Sequence, residues 1–115
     1  MELNHAFEQA KLQYESIKSL LAEKDRTAIE EDALEVQVRS AWENPGSADL
    51  SKPYEFFILL CTGGPAVRII GELGRYCQPD KAWLQYQDWG TPWTTYHAAE
   101  SDVLCEYASY FYYGE

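Results

Sequence analysis

The sequence predicts an α+β domain in which an N-terminal helix, a four-stranded antiparallel meander and a C-terminal helix form a single unit over residues 1–115. Three observations lead to this fold class. Apolar residues follow a helical period over residues 3–21, and the period changes to strand-like alternation near residue 33. Short connections containing Gly or Pro then separate the later strands, which favours antiparallel neighbours.

The N-terminal helix is predicted by apolar residues that recur at alternating spacings of three and four. They are Leu3, Phe7, Ala10, Tyr14, Ile17 and Leu21. The same spacing marks a coiled-coil seam, but this segment is too short for three full heptads, so packing onto its own domain is favoured.

A short second helix and the first strand follow. Thr27 and Glu30 have the spacing of a capping box, which predicts a helix at residues 28–33. Apolar and polar residues then alternate over residues 34–42, which predicts a half-buried strand. A helix continuing through residues 28–42 is the alternative interpretation.

Three more strands are predicted at residues 54–61, 66–73 and 81–89. Both alternating phases are apolar between Phe56 and Cys61, which indicates a central strand covered on both faces. The glycines after Cys61 suit a hairpin turn.

The last helix is predicted to begin at a cap formed by Ser101 or Asp102 and to end before Gly114. Its inward positions include Leu104 and Cys105.

Composition is that of one soluble domain, with 115 residues, 46% hydrophobic residues and a formal net charge of −10. No apolar run is long enough to span a membrane, and the polar N-terminal segment does not resemble a secretory signal, so we expect a cytoplasmic location. Without an export signal or CxxC spacing, Cys61, Cys77 and Cys105 are expected to be reduced. The first and last of these lie in apolar runs, whereas Cys77 lies in a predicted turn.

The C-terminal third of the chain is both acidic and aromatic. After Lys81 it contains no lysine or arginine, yet it holds most of the tryptophans and tyrosines together with Glu100, Asp102 and Glu106. Carboxylates attract a basic partner and ring faces accept its Arg or Lys side chains. The same charge repels DNA and anionic membranes.

A second acidic cluster comprises Glu30, Glu31 and Asp32, with Glu35 close behind in the sequence. Spaced carboxylates on a rigid scaffold can imitate the phosphates of a nucleic acid and occupy the groove of a nucleic-acid-binding protein. A solvated acidic surface without a partner is the alternative interpretation.

The segment 87–94 is the most distinctive in composition. Trp89 and Trp93 flank a turn containing Gly and Pro, and Asp88 supplies a polar edge. One interpretation is a recognition loop that presents two rings to a partner. The other is the end of a sheet, where the rings close the core and the carboxylate binds turn amides.

Motifs for catalysis are weak in this chain. The glycine pair at residues 63–64 lacks the Lys-Ser/Thr of a phosphate loop, and His5 and His97 lack metal-ligand spacing. We therefore predict no catalytic residue, cofactor or metal site.

A ligand-binding alternative rests on two arginines. Arg39 and Arg68 lie on the polar phases of two predicted strands, where they could form an anion pocket on the sheet face near Asp88. A small enzyme or ligand-binding domain is thus the second functional hypothesis, and a deep pocket would distinguish it from a flat acidic binding surface.

Four segments resemble a family of small acidic proteins carried by phages, prophages and other mobile elements. They are VQVRSAW at 36–42, LLCTGGPAVRI at 59–69, QDWGTPWT at 87–94 and FYYGE at 111–115. The resemblance implies a mobile-element setting, in which small acidic domains often inhibit host defence proteins, as anti-CRISPR and antirestriction proteins do. The resemblance assigns no reaction. Together with the acidic and aromatic surface, this setting favours a non-enzymatic protein, a monomer or homodimer, that binds a basic, nucleic-acid-binding host protein.

We expect no binding to duplex DNA near physiological salt, because the net charge of −10 opposes the approach of phosphates. An electrophoretic mobility-shift assay at micromolar protein checks this. A shift that weakens with added salt would contradict it and would point to a basic patch among Arg26, Arg39, Arg68 and Arg75.

Overall fold

The computed structural model describes residues 5–39, 55–62, 65–74, 78–88, 92–111 and 113. Within these ranges it contains three helices and one five-stranded antiparallel sheet. In chain order the elements are α1 (His5–Glu23), α2 (Arg26–Asp32), β1 (Glu35–Arg39), β2 (Glu55–Cys61), β3 (Ala66–Leu73), β4 (Pro79–Gln87), β5 (Thr94–Thr95) and α3 (Ser101–Ala108). The predicted α+β class with an antiparallel sheet is confirmed, whereas the number of strands and the positions of the helices match only roughly.

Helix α1 packs through the face that its sequence spacing predicts, with one correction. Ala10, Tyr14 and Ile17 are buried as expected. Phe7 is 39% exposed, and Ala6 is buried instead. The Phe7 ring nevertheless contacts the ring of Tyr96, with centroids 5.4 Å apart, so it lies at the margin of the core.

Helix α2 begins earlier than predicted and has a different cap. Asp25 is the N-cap, and its carboxylate accepts a hydrogen bond of 3.2 Å from the amide of Ala28, a role the sequence assigned to Thr27. The helix ends at Asp32, and Ala33 is already extended. The alternative of a continuous helix over residues 28–42 is therefore wrong. The last part of the predicted strand, residues 40–42, lies outside the described residues.

The strands follow one another in the order β1-β2-β3-β4-β5, and every neighbouring pair is antiparallel. The meander is thus confirmed, but it has a fifth strand that the sequence did not predict. Strand β5 contains only Thr94 and Thr95, which is too short to produce a visible alternation. Strand β4 starts at Pro79 rather than Lys81, because Pro79 pairs with Leu73 across an irregularity in the register.

Helices cover one face of this sheet. Residues of β2 and β3 alternate between buried and half-buried, and the buried set forms one core with α1 and α3. Phe57 and Leu59 on the other face are only half-buried and lie outside that core. The prediction that β2 would be covered on both faces is therefore not met by the described part of the chain. This second face is called the open face below.

Polar contacts fix α3 against the rest of the domain. The Ser101 hydroxyl accepts a hydrogen bond of 3.1 Å from the amide of Ala82, and the Tyr14 hydroxyl accepts one of 3.1 Å from the amide of Glu100. Glu100 is the N-cap residue and makes no capping bond with its side chain, which corrects the predicted cap at Ser101 or Asp102. No described helix is long and apolar enough to cross a membrane.

Gly71→Ala is expected to destabilise the fold by about 1–3 kcal/mol or more, since overpacking at a rigid site cannot relax. A Cβ at this position would collide with the Lys81 carbonyl oxygen and with the Phe56 ring. Urea unfolding followed by circular dichroism measures the effect.

Gly74→Ala is the matched control. Its added Cβ would meet its nearest neighbour, in Asp80, at an ordinary 3.6 Å. Equal losses in the two variants would contradict the proposed close approach at Gly71.

Candidate functional site

The outer surface of α3 is acidic. Glu100, Asp102 and Glu106 are all exposed, and the helix carries no basic residue. Asp102 lies in the first turn, where the helix dipole favours a carboxylate, but Glu106 lies one turn further on, towards the end that disfavours one. Carboxylates spaced at i and i+4 also repel each other. This arrangement does not maximise the stability of the helix.

The predicted cluster on α2 contains three carboxylates in different situations. Glu31 is exposed, whereas Glu30 accepts a hydrogen bond of 2.9 Å from Nε of Arg26. Asp32 is half-buried and accepts a hydrogen bond of 2.7 Å from the Tyr107 hydroxyl. Only Glu31 and Glu30 thus present carboxylates to solvent, and Asp32 has a structural role.

The bond between Tyr107 and Asp32 joins the two acidic clusters, which are far apart in sequence. It places the end of α2 beside α3. The Arg26 guanidinium lies 5.7 Å from the ring centroid of Tyr110, just after α3, and so makes a second contact between the same two elements. These contacts bring the end of α2 close to α3. We refer to the exposed carboxylates of the two elements together as the α2–α3 acidic surface: Glu30, Glu31, Glu100, Asp102 and Glu106.

Tyr107 is fully buried, and its pKa lies well above the ordinary value. Burial is the main cause, followed by the hydrogen bond to Asp32 and the negative charge of that carboxylate. The hydroxyl consequently keeps its proton and remains a donor. Burial likewise raises the pKa of Tyr113, whose hydroxyl donates a 2.6 Å bond to the Ala108 carbonyl.

The predicted recognition segment is described in part. Trp93 is half-buried, and its ring centroid lies 4.0 Å from the guanidinium carbon of Arg68. Asp88 is half-buried and engaged in interactions, and Trp89 lies outside the described residues. Thr94 and Thr95 of the same segment pair with β4. One face of the Trp93 ring is thus occupied by an arginine of this chain, and contact of the segment with a partner remains a prediction.

The two predicted anion-binding arginines meet on the open face. Arg39 of β1 and Arg68 of β3 line the same open cleft, which has a volume of about 340 Å³. Phe57 of β2, the strand between them, also lines it, together with Gln37 and Ile70. The sequence alternation places the arginines on polar phases, but only the strand register brings Phe57 between them.

Each guanidinium in this cleft donates hydrogen bonds from one of its edges to a neighbouring side chain. Arg39 donates from Nε and Nη2 to the Glu55 carboxylate over 3.3 and 3.1 Å. Arg68 donates from Nε and Nη2 to Oε1 of Gln85 over 3.0 and 2.8 Å. Gln85 in turn donates to the Thr95 hydroxyl over 3.4 Å. Arg68 therefore bonds to a neutral amide, whereas Arg39 bonds to a carboxylate.

The electrostatics of the two arginines differ accordingly. Partial burial, and then repulsion from Arg39, lower the pKa of Arg68 below the ordinary arginine value. The hydrogen bond and charge of Glu55 raise the pKa of Arg39, which is fully exposed. Both side chains remain cationic at neutral pH, since an arginine pKa lies far above it.

Cys61 and Cys105 are free thiols. Both are only half-buried, although the sequence places them in apolar runs. Burial raises the pKa of both, which reduces their thiolate fraction. The Cys105 sulfur lies 4.0 Å from the Ser101 hydroxyl. Cys77 lies outside the described residues. Among the described residues, no three His, Cys, Asp or Glu side chains are grouped as a metal site would require.

Comparison of the chain with protein-family models, with curated proteins and with solved structures finds no match.

The free energy of unfolding is expected to fall as the pH rises above about 10. Tyr107 and Tyr113 have raised pKa values in the folded chain, whereas the unfolded chain releases these protons near the ordinary value of 10.0. The loss for each tyrosine is roughly 1 kcal/mol per pH unit. Urea unfolding at several pH values between about 8 and about 11 measures it.

Tyr107→Phe should make this decline shallower, because it removes one of the two contributions. Below the tyrosine pKa the variant should also be less stable by about 1–3 kcal/mol, since the half-buried Asp32 carboxylate loses its donor. Identical pH slopes in the variant and the original chain would contradict this assignment.

Proposed function

We propose that this chain is a non-enzymatic binding protein whose α2–α3 acidic surface occupies a basic, nucleic-acid-binding surface of a host protein. The observation that supports it most is the joining of the two acidic clusters by the Tyr107–Asp32 hydrogen bond. That bond holds carboxylates from two distant segments on adjacent elements. A spaced, rigid set of carboxylates is what imitation of a phosphate row requires.

Charge balance supports the same proposal. On α1 the exposed Glu15 pairs with Lys18 at 3.4 Å, and on α2 Glu30 pairs with Arg26. No described ion pair involves Glu100, Asp102 or Glu106. Carboxylates with no cation beside them add to self-repulsion in the free protein, and a cationic partner would remove that repulsion.

Rings beside the carboxylates supply contact area. Arg26, Glu30, Tyr110 and Phe111 line a shallow depression of about 330 Å³ at the junction of α2 and α3. Tyr110 and Phe111 are half-buried, so part of each ring reaches solvent. Aromatic residues beside charged ones are typical of the energetically important centre of an interface.

The biological setting follows from the resemblance to mobile-element proteins. In that setting we propose an inhibitor of host defence, of the anti-CRISPR or antirestriction kind, that acts as a nucleic-acid mimic. Long-range attraction would speed association and weaken as salt screens it.

Charge reversal of the three α3 carboxylates tests this function. The full chain and the variant Glu100→Lys, Asp102→Lys, Glu106→Lys would be used to capture partners from a host-cell lysate, and bound proteins would be identified by mass spectrometry. We expect a basic partner with the original chain and its loss with the variant. For the purified pair, the association rate should fall steeply as salt rises, with little change in dissociation.

The matched control is Glu8→Lys, Glu15→Lys, Glu23→Lys on α1. It changes the net charge by the same amount at exposed positions of another helix. Equal losses in both variants would mean that net charge alone matters. A salt-independent association rate with neither variant impaired would remove the proposal.

A further inference from the structure

We propose that the cleft on the open face is a second binding site, which takes the oxyanion of a small ligand, a phosphate or a carboxylate, between Arg39 and Arg68. It lies on the opposite face of the sheet from the helices, and it does not depend on the proposed function of the α2–α3 acidic surface. The proposal rests on register, on the remaining donors, on preorganisation and on the shape of the cleft.

The register of the sheet sets the two arginines around one ring. Arg39 pairs with Glu55 across β1 and β2, and Arg68 pairs with Leu59 across β2 and β3. Phe57 lies midway between Glu55 and Leu59 on β2, and all three side chains point to the open face, because alternate residues of a strand share a face. Arg39 and Arg68 therefore lie on opposite sides of Phe57, on the two strands that flank β2.

Each guanidinium retains N–H groups that could donate to a ligand. The hydrogen bonds of Arg39 and Arg68 to described residues are donated by Nε and Nη2, and the Nη1 group takes part in none of them. Each Nη1 carries two N–H groups, and an oxyanion has enough lone pairs to accept from both arginines at once. Two like charges this close repel, and an anion between them would convert that repulsion into attraction.

Arg68 is fixed in position before any ligand arrives. Its guanidinium lies 4.0 Å from the ring centroid of Trp93 and 5.6 Å from that of Phe57, and Gln85 holds one edge. Thr95 orients Gln85 in turn. A preorganised guanidinium loses little side-chain entropy on binding, and this lowers the cost of holding a ligand.

Shape and polarity favour a small organic anion over a free ion. The volume of about 340 Å³ lies at the lower end of the range for small-molecule sites. Phe57 and Ile70 form an apolar floor, on which a ring or short hydrocarbon body can pack while its charged group meets the arginines. Glu55, which pairs with Arg39, also lines the cleft, so Arg68 is the guanidinium there that bonds to a neutral group among the described residues.

The test is a titration of the full chain with phenyl phosphate, benzoate, inorganic phosphate and neutral benzyl alcohol. Nuclear magnetic resonance would follow the arginine Nε–H signals, and calorimetry would give affinities. We expect saturable shifts of the Arg39 and Arg68 signals with at least one aromatic anion and none with benzyl alcohol. Tighter binding of phenyl phosphate identifies a phosphate ligand, and tighter binding of benzoate identifies a carboxylate ligand.

Variants locate the site. Arg68→Gln and Arg39→Gln should each weaken binding by roughly tenfold or more, the loss expected for a charge-assisted hydrogen bond. Arg68→Lys keeps the charge but loses the planar fork and should also bind more weakly. The matched control is Arg26→Gln, which removes an exposed arginine that is likewise paired with a glutamate.

The proposal is overturned if no anion gives a saturable shift at either arginine, or if Arg26→Gln weakens binding as much as Arg68→Gln. Circular dichroism of each variant separates loss of the site from loss of the fold, and Arg39, which is fully exposed, provides a variant that leaves the core intact. The charge-reversed α3 variant should keep its affinity for the anion, so failure of one proposal is distinguishable from failure of the other.

Discussion

The hydrogen bond from the Tyr107 hydroxyl to the Asp32 carboxylate connects the two parts of the chain that the acidic surface needs. Tyr107 is the largest fully buried side chain among the described residues, so its position is fixed by the core and not by the surface. Asp32 ends α2, immediately before the chain enters the sheet at β1. A carboxylate beside a buried phenol also raises the cost of ionising that phenol. Core packing and surface charge are thereby coupled through one donor and one acceptor.

The two faces of the sheet have opposite chemistry because the helices cover only one of them. Under the helices the strands contribute aliphatic and aromatic side chains to a single core. On the open face the register sets Arg39 against Glu55 and places Phe57 opposite Ile70. An antiparallel sheet tolerates such a solvated face. The acidic helix surface and the cleft therefore share no residue.

Sequence patterns predicted the elements where a long period was available. The nineteen residues of α1 and the apolar strand β2 gave clear signals, whereas the two residues of β5 gave none. The cap of α2 was misassigned because Asp25 and Thr27 are both good capping residues, and tertiary context decided between them.

The candidate sites, too, could be predicted from local sequence patterns only in part. That Arg39 and Arg68 share a face followed from alternation, but the role of Phe57 between them depends on strand register, and that of Gln85 on a side-chain bond. Composition could not reveal that Asp32 is held by a tyrosine far along the chain, so it appeared as one more surface carboxylate. Long-range pairing of this kind leaves no trace in local spacing.

The described ion pairs add little to the stability of this chain, which has a formal net charge of −10. The described pairs Glu15–Lys18, Arg26–Glu30 and Arg39–Glu55 are all exposed, and exposed pairs contribute about 0–1 kcal/mol each. Stability must then come mainly from the buried core. Arg68 is the exception among the arginines of the described residues, because it bonds to a neutral glutamine in place of a carboxylate. An amide orients a guanidinium without cancelling its charge, so the Arg68–Gln85 pair keeps its positive charge on the open face of an acidic protein.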